Sequence, residues 1–177
     1  MSKQNLLILP YCIFNPKERY DKGKGIEGYT KEKFGEFLDF TKGKYIPFFY
    51  ACPECRIIGE NRDFSTKDQF EVHREKFRAL AEAYFEDFQK IKDKTEFYII
   101  GIKKSPSCGI YYTTTGEGKH NYNISKGRGI FMEELLALFE KKEELLAMFE
   151  RNNIPIKTAE IQLKTFDKYD LERQLRS

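Results

Sequence analysis

Three apolar runs of strand-forming residues, Leu6 to Leu9, Tyr45 to Tyr50 and Phe97 to Ile102, alternate along the chain with segments of helical period. That alternation restricts the fold more than any other feature. Strands alternating with helices pair in parallel, and their helices must cover both faces of the sheet. The expected fold class is therefore α/β, a three-layer α/β/α sandwich with a mainly parallel, Rossmann-like sheet. Each run stops at a polar, turn-rich segment that carries a cysteine, namely Cys12, Cys52 and Cys108. Parallel strands share a carboxyl edge, where open α/β sheets bind ligands, so these three distant thiols are expected to converge on one site.

The first strand is expected from Asn5 to Ile13, followed by a Lys/Gly-rich loop through Gly28. Thr30 then caps a short helix with Phe34, Phe37 and Leu38 on one face, which Gly43 ends. The second strand runs to about Ala51, and Pro47 within it suggests a sheet edge or an irregular start, since proline gives no ladder donor. Ser65-Thr66-Lys67-Asp68 is an N-cap signal opening a long helix to about Lys92, with Phe70, Phe77, Leu80, Ala81, Tyr84, Phe88 and Ile91 in one stripe. The third strand, Glu96 to Ile102, leads into a polar stretch from Lys103 to Gly127, long enough to imply a functional hairpin or lid. A helix from Phe131 to Arg151 contains a near-repeat, Glu134 to Glu140 and Glu144 to Glu150, offset by about three turns so that both copies present one face. Ile156 to Leu163 reads as the last strand. The expected organisation is one domain over residues 1–163 and a charged tail from Lys164 to Ser177, helical or frayed.

The chain has 177 residues, 40% of them hydrophobic, enough for one sizeable core. Its 31 basic residues nearly balance 28 acidic ones, and a net charge of +3 gives no strong nucleic-acid or membrane signal. The amino-terminal apolar stretch fits neither a cleaved leader nor a spanning helix, so a cytoplasmic protein is expected. In a reducing cytosol its four cysteines are better read as ligands, catalytic thiols or core residues than as a disulfide framework.

Cys52-Pro53-Glu54-Cys55 alone allows half of a zinc site, a thioredoxin-like redox pair or two iron-sulfur ligands. A structural zinc site usually supplies a second close pair, and Cys12 and Cys108 are singletons. A redox pair belongs at a helix amino terminus, whereas Arg56-Ile57-Ile58-Gly59 reads as loop. The cysteines are also acceptable as small core hydrophobes. Against that stands the turn chemistry beside each: Asn15-Pro16 after Cys12, Pro53 before Cys55, and Gly109 after Cys108. His73 and His120 lack metal-ligand spacing and read as surface residues.

Taken together, Cys12 with Arg19-Tyr20-Asp21 and Gly23, Cys52-Pro53-Glu54 with Gly59 and Arg62, Ser105-Pro106-Ser107-Cys108-Gly109 with Tyr111 or Tyr112, and Gly127-Arg128-Gly129 before a helix resemble the thiouracil desulfurase (TudS) family. The resemblance extends to about Phe149. It implies that Cys12, Cys52 and Cys108 hold a 4Fe-4S cluster with one iron lacking a protein ligand, a Lewis-acid position suited to thiocarbonyl sulfur. It also implies removal of sulfur, as sulfide and without net redox change, from a thiolated pyrimidine base or nucleotide resembling 2-thiouracil. Glu54 is the candidate general base and proton donor, and Ser105 a candidate to position water or pass a proton. Two blander roles stand beside these: Glu54 pairing with Arg62 or Arg19, and Ser105 capping a turn.

The sequence departs from the family pattern at Cys55, where an apolar residue is expected, and at Ile58-Gly59, where the family has a double glycine. A thiolate at Cys55 would close the open iron and make the protein a non-catalytic electron carrier or sensor; it could equally shuttle sulfur. Lys103, Lys104, Lys119, Lys126 and Arg128 flank the expected site, and the helix after Gly129 offers an amino terminus to a phosphate.

Overall fold

The structure is a computed structural model and describes residues 4–13, 15, 35–37, 39–59, 63–91, 94–148, 156–162 and 167–176. Strand β1 is Gln4–Pro10 and a 3-10 turn follows at Tyr11–Ile13, so the strand stops short of the expected Ile13. Residues 35–37 and 39–41 are helical and are called α1. Gly43, with φ of 74°, ends this helix in the left-handed conformation that glycine adopts without steric cost. Strand β2 is Tyr45–Tyr50, helix α2 is Pro53–Ile57 and helix α3 is Lys67–Phe70. Helix α4 is Arg74–Lys90, strand β3 is Lys94–Ile102, and β4 and β5 are Tyr112–Gly118 and Asn121–Lys126. Helix α5, Ile130–Met148, leads through strand β6, Ile156–Ile161, to helix α6, Lys168–Arg176.

The four parallel strands stand in the order β2-β1-β3-β6. Pro47 lies on an edge strand, as its missing donor requires. Alternation along the central strands builds two cores. Leu6, Ile8, Phe97 and Ile99 face one side, against Phe77 and Phe88 of α4 and Phe131 and Phe139 of α5. Leu7, Leu9, Tyr98 and Ile100 face the other, against Phe37 and Phe40 of α1 and Leu171 and Leu175 of α6. Both faces are covered, which is why β1 reads as an unbroken apolar run. The result is the three-layer α/β sandwich expected from the sequence, with its first three strands ending at one edge. The segment after Lys164 contributes α6, whose Leu171 and Leu175 are buried.

The long helix expected from Ser65 to Lys92 is divided. Thr66, not Ser65, is the N-cap, in a capping box with Gln69, and a 3-10 turn at Glu71–His73 separates α3 from α4. The break redirects the chain, so that α3 packs on β4 while α4 packs on α5. Phe70 and Phe77 stay 5.6 Å apart across it, which keeps the apolar stripe continuous in sequence. Four charges fasten the corner: Arg74 bonds Glu71 at 2.7 Å and Glu133 at 2.9 Å, and also pairs with Glu134. The polar stretch after β3 does contain a hairpin, β4-β5, paired antiparallel. Thr30, Phe34, Leu38, the span 149–155 and the side chains of 143–148 lie outside the described residues, and with them most of the second repeat copy. Among the described residues no helix is long and apolar enough to cross a membrane.

Candidate functional site

Cys12 lies in the 3-10 turn after β1, Cys52 is the N-cap residue of α2 after β2, and Cys108 lies in the loop after β3. All three are buried, at 6%, 4% and 2% exposure. All three lie near enough to Tyr50, the last residue of β2, to act electrostatically on its hydroxyl. Its hydroxyl is buried without a hydrogen bond of normal geometry, beside the Cys108 sulfur. Burial and then the nearby Cys108, Cys12 and Cys52 sulfurs hold the Tyr50 hydroxyl in its protonated form. Burial also pushes the Cys108 thiol well up, with Cys52 adding to the effect.

Two polar side chains complete this floor. Glu54, in the first turn of α2, is buried, and its Oε1 accepts a 2.5 Å hydrogen bond from the Ser107 hydroxyl. Ser107 Oγ also lies 3.4 Å from Cys108 Sγ. A hydroxyl has one proton, so Glu54 Oε1 and Cys108 Sγ are alternative acceptors for the Ser107 hydroxyl, with the shorter bond going to the carboxylate. Ser105 Oγ accepts from the Cys108 amide at 3.0 Å and the Ser107 amide at 3.3 Å, and lies 3.3 Å from Ser107 Oγ. Its hydroxyl therefore holds the turn that presents Cys108. The sequence reading chose Ser105 and passed over Ser107, although both stand in one Ser-Pro-Ser-Cys block. The missing signal was spatial, since Ser107 meets a carboxylate 53 positions away.

The loop is seated by close backbone contact. A Cβ on Gly101 of β3 would lie 2.5 Å from the Cys108 carbonyl oxygen, and one on Gly129 would lie 2.5 Å from the Ser107 carbonyl carbon. The hairpin threonines grip the same loop, with Thr114 Oγ1 donating to the Lys104 carbonyl at 2.7 Å and Thr113 Oγ1 to that of Ser105 at 3.2 Å. Lys104 itself adopts a φ of 67°, a strained value for a residue with a Cβ.

Several expectations change. Residues after Cys52 form helix α2, not loop, and Cys55 is half-buried one turn along it. Gly59, with φ of 117°, closes that helix by donating to the Glu54 carbonyl at 3.2 Å. The amino terminus of α5 does not offer its amides to a phosphate: Ile130 N donates to the Pro106 carbonyl at 2.9 Å and Met132 N to that of Ser107 at 3.0 Å. Arg128 is paired with Glu140 at 2.7 Å. Lys103 sits over the Tyr112 ring, 5.9 Å from its centroid. Arg19, Tyr20, Asp21, Gly23 and Arg62 lie outside the described residues. Among the described residues no group of three or more His, Cys, Asp or Glu is arranged to hold a single metal ion.

The family described as "Putative 2-thiouracil desulfurase" matches residues 4–171. The chain belongs to this family. An uncharacterised protein of Methanocaldococcus jannaschii is 28% identical over 145 residues, which is 80% of this chain and 81% of the relative. Among solved structures, a 4Fe-4S-dependent thiouracil desulfidase, TudS, is 19% identical and covers 88% of this chain and 91% of its own, with a TM-score of 0.46. The desulfurase family match spans all three buried cysteines, Glu54 and both serines of the loop.

Proposed function

We propose that this protein removes sulfur from a thiolated pyrimidine base by hydrolysis, exchanging C=S for C=O and releasing sulfide. The observation that supports the reading is that three buried cysteines follow three neighbouring parallel strands and all act on the buried Tyr50 hydroxyl, with the Glu54–Ser107 hydrogen bond next to Cys108. Cys12, Cys52 and Cys108 would hold a 4Fe-4S cluster. The donor set suits it: soft sulfurs, one from each of three neighbouring strand ends, and a buried hydroxyl without a regular partner. A cluster binds each thiolate through a different iron, so its ligands need not close on one ion. When bound by three cysteines, the cluster supplies an iron open to a thiocarbonyl sulfur, which polarises the C=S bond.

The chain supplies the proton chemistry. Glu54 takes a proton from the attacking water and later returns it to the departing sulfur. The Ser107 hydroxyl, already bonded to Glu54 Oε1, orients that carboxylate and shares its proton. Ser105, 3.3 Å from Ser107 Oγ, offers a second hydroxyl oxygen in the relay while it fixes the Cys108 backbone. Tyr50, Ile110, Ile130 and Phe131 belong to the buried apolar cluster that includes Cys108, a dry surrounding in which electrostatic effects on a reacting bond are strongest.

Anaerobic reconstitution with iron and sulfide tests the reading. Expected are about four irons per chain, a spectrum perturbed by 2-thiouracil, and release of uracil and sulfide in equal amounts. Glu54→Gln should keep the iron and lose at least about a hundredfold in turnover. A full cluster indifferent to thiolated bases would defeat the proposal.

A further inference from the structure

Glu160 of β6 lies outside the chemistry described above, yet it is a buried carboxylate. Its Oε1 accepts from three consecutive amides: Ile110 N at 2.5 Å, Tyr111 N at 2.7 Å and Tyr112 N at 3.3 Å. These residues follow Cys108-Gly109 directly. The register explains the encounter. Glu160 is paired with Gly101 of β3, and side chains of paired residues leave a parallel sheet on the same face. Because Gly101 has no side chain there, the Cys108 segment lies flat on the sheet, within 2.5 Å of where a Cβ would stand. The neighbouring Glu160 then reaches across bare backbone to the next three amides.

Glu160 is itself held. Gln174 of α6 accepts from its amide at 2.9 Å and donates to its carbonyl at 3.0 Å. On the other side of Cys108 the amides are taken by Ser105, and the Cys108 carbonyl accepts from Ile102 N at 3.0 Å. The cysteine is thus pinned from before by a serine hydroxyl, from beneath by β3, and from after by a carboxylate.

We propose that Glu160 is the positioning residue that fixes Cys108, holding the segment after it so that the thiol keeps its place beside Tyr50, at the sheet edge it shares with Cys12 and Cys52. Its importance to a cluster rests on the functional reading above, but its grip on Cys108 does not. Three ligands leave no spare thiolate, so loosening one of them weakens the whole site.

The experiment uses the full-length chain, purified anaerobically and divided into cluster-loaded and metal-free samples. In the metal-free sample, iodoacetamide labelling followed by peptide mass spectrometry gives a separate rate for each cysteine, with half-buried Cys55 as internal reference. A buried thiol reacts only when its segment opens, so the rate reads local stability. Replacing a charge-assisted acceptor by a neutral one weakens the bonds, and Glu160→Gln should raise Cys108 labelling about fivefold while Cys12 and Cys52 stay within about twofold. Glu160→Leu, which removes the acceptor, should raise it further. Phe37→Ala, a general loss of core on the opposite face outside α6, should not single out Cys108. In the loaded sample the order of iron loss to a chelator should be Leu, then Gln, then wild type. Unchanged Cys108 labelling, or all three thiols rising together, would overturn the proposal. If Glu160→Leu does not fold, the Gln variant decides the question alone. A selective rise with no cluster formed in any sample would keep the latch and discard the iron-sulfur reading.

Discussion

Gly129→Ala perturbs the seat of the cysteine loop at one atom. The added Cβ would lie 2.5 Å from the Ser107 carbonyl carbon, 2.6 Å from its oxygen and 2.9 Å from the Cys108 nitrogen. All three are backbone atoms, so no side chain can swing away. Ordinary contact begins at 3.4 Å, and the loop and the start of α5 must therefore separate by about 0.9 Å. The hydrogen bonds bridging this gap, Gly129 N to Gly109 O at 2.8 Å, Ile130 N to Pro106 O at 2.9 Å and Met132 N to Ser107 O at 3.0 Å, do not survive such a move. At about 1 kcal/mol each, their loss costs about 3 kcal/mol. With a urea m-value of about 2 kcal/mol/M, the midpoint should fall by about 1.5 M. Hydrogen exchange should show Ile130 and Met132 amides deprotected while β1 amides keep their relative protection. A variant with the wild-type midpoint would refute the docking of loop on helix, and with it the account of how Cys108 is held.

Gly35→Ala should act in the opposite sense, because nothing lies within 4 Å of the new Cβ and the residue is helical; a gain of about 0.5–1 kcal/mol in a urea melt is expected. Replacing Cys12, Cys52 or Cys108 singly by serine should abolish iron retention on anaerobic reconstitution, whereas Cys55→Ser should retain iron and thiobase response; loss of iron in the Cys55 variant would favour four-cysteine ligation. Arg74→Ala should flatten the acid side of the stability profile. The Arg74 hydrogen bond holds Glu71 below its ordinary 4.5, and at Glu133 burial acts upward but Arg74 and Lys67 outweigh it. Carboxylates depressed in the folded state stabilise fully above their unfolded value and lose that contribution as pH falls through the folded one. Both groups are about two-fifths exposed, so the neutral-pH loss should be only about 1 kcal/mol, measured by denaturant melts from pH 3 to 7.

Much of the site was legible because its logic is topological. Leu6 to Leu9, Tyr45 to Tyr50 and Phe97 to Ile102 could be read as strands from residue type alone, and parallel pairing then brings the cysteines after them to one edge. What escaped reading depends on the third dimension. The stripe from Phe70 to Phe88 keeps its period through a 3-10 turn, so the corner at Glu71–His73 left no mark in the pattern. Glu160 and Ser107 acquire their meaning from partners about 50 positions away. Thr113 and Thr114 read as hairpin residues, but their hydroxyls are spent on the loop before Cys108.

The amino terminus of α5 shows why a local motif was misleading there. Gly127-Arg128-Gly129 before a helix has the form of an anion seat, since a helix start concentrates unpaired amides and positive dipole. In this fold Gly129 is required for a different reason, close approach to Ser107 and Cys108, and the first amides are used on that approach. The positive end of the helix is then directed at the backbone of the loop carrying Cys108. Burial disfavours a thiolate at that position, whereas a helix amino terminus favours one by about 0.3–1 kcal/mol. The dipole alone is too small to offset full burial, so a negative sulfur there needs a further positive partner. Cysteines buried in this way are consequently poorly placed to exist as free thiolates.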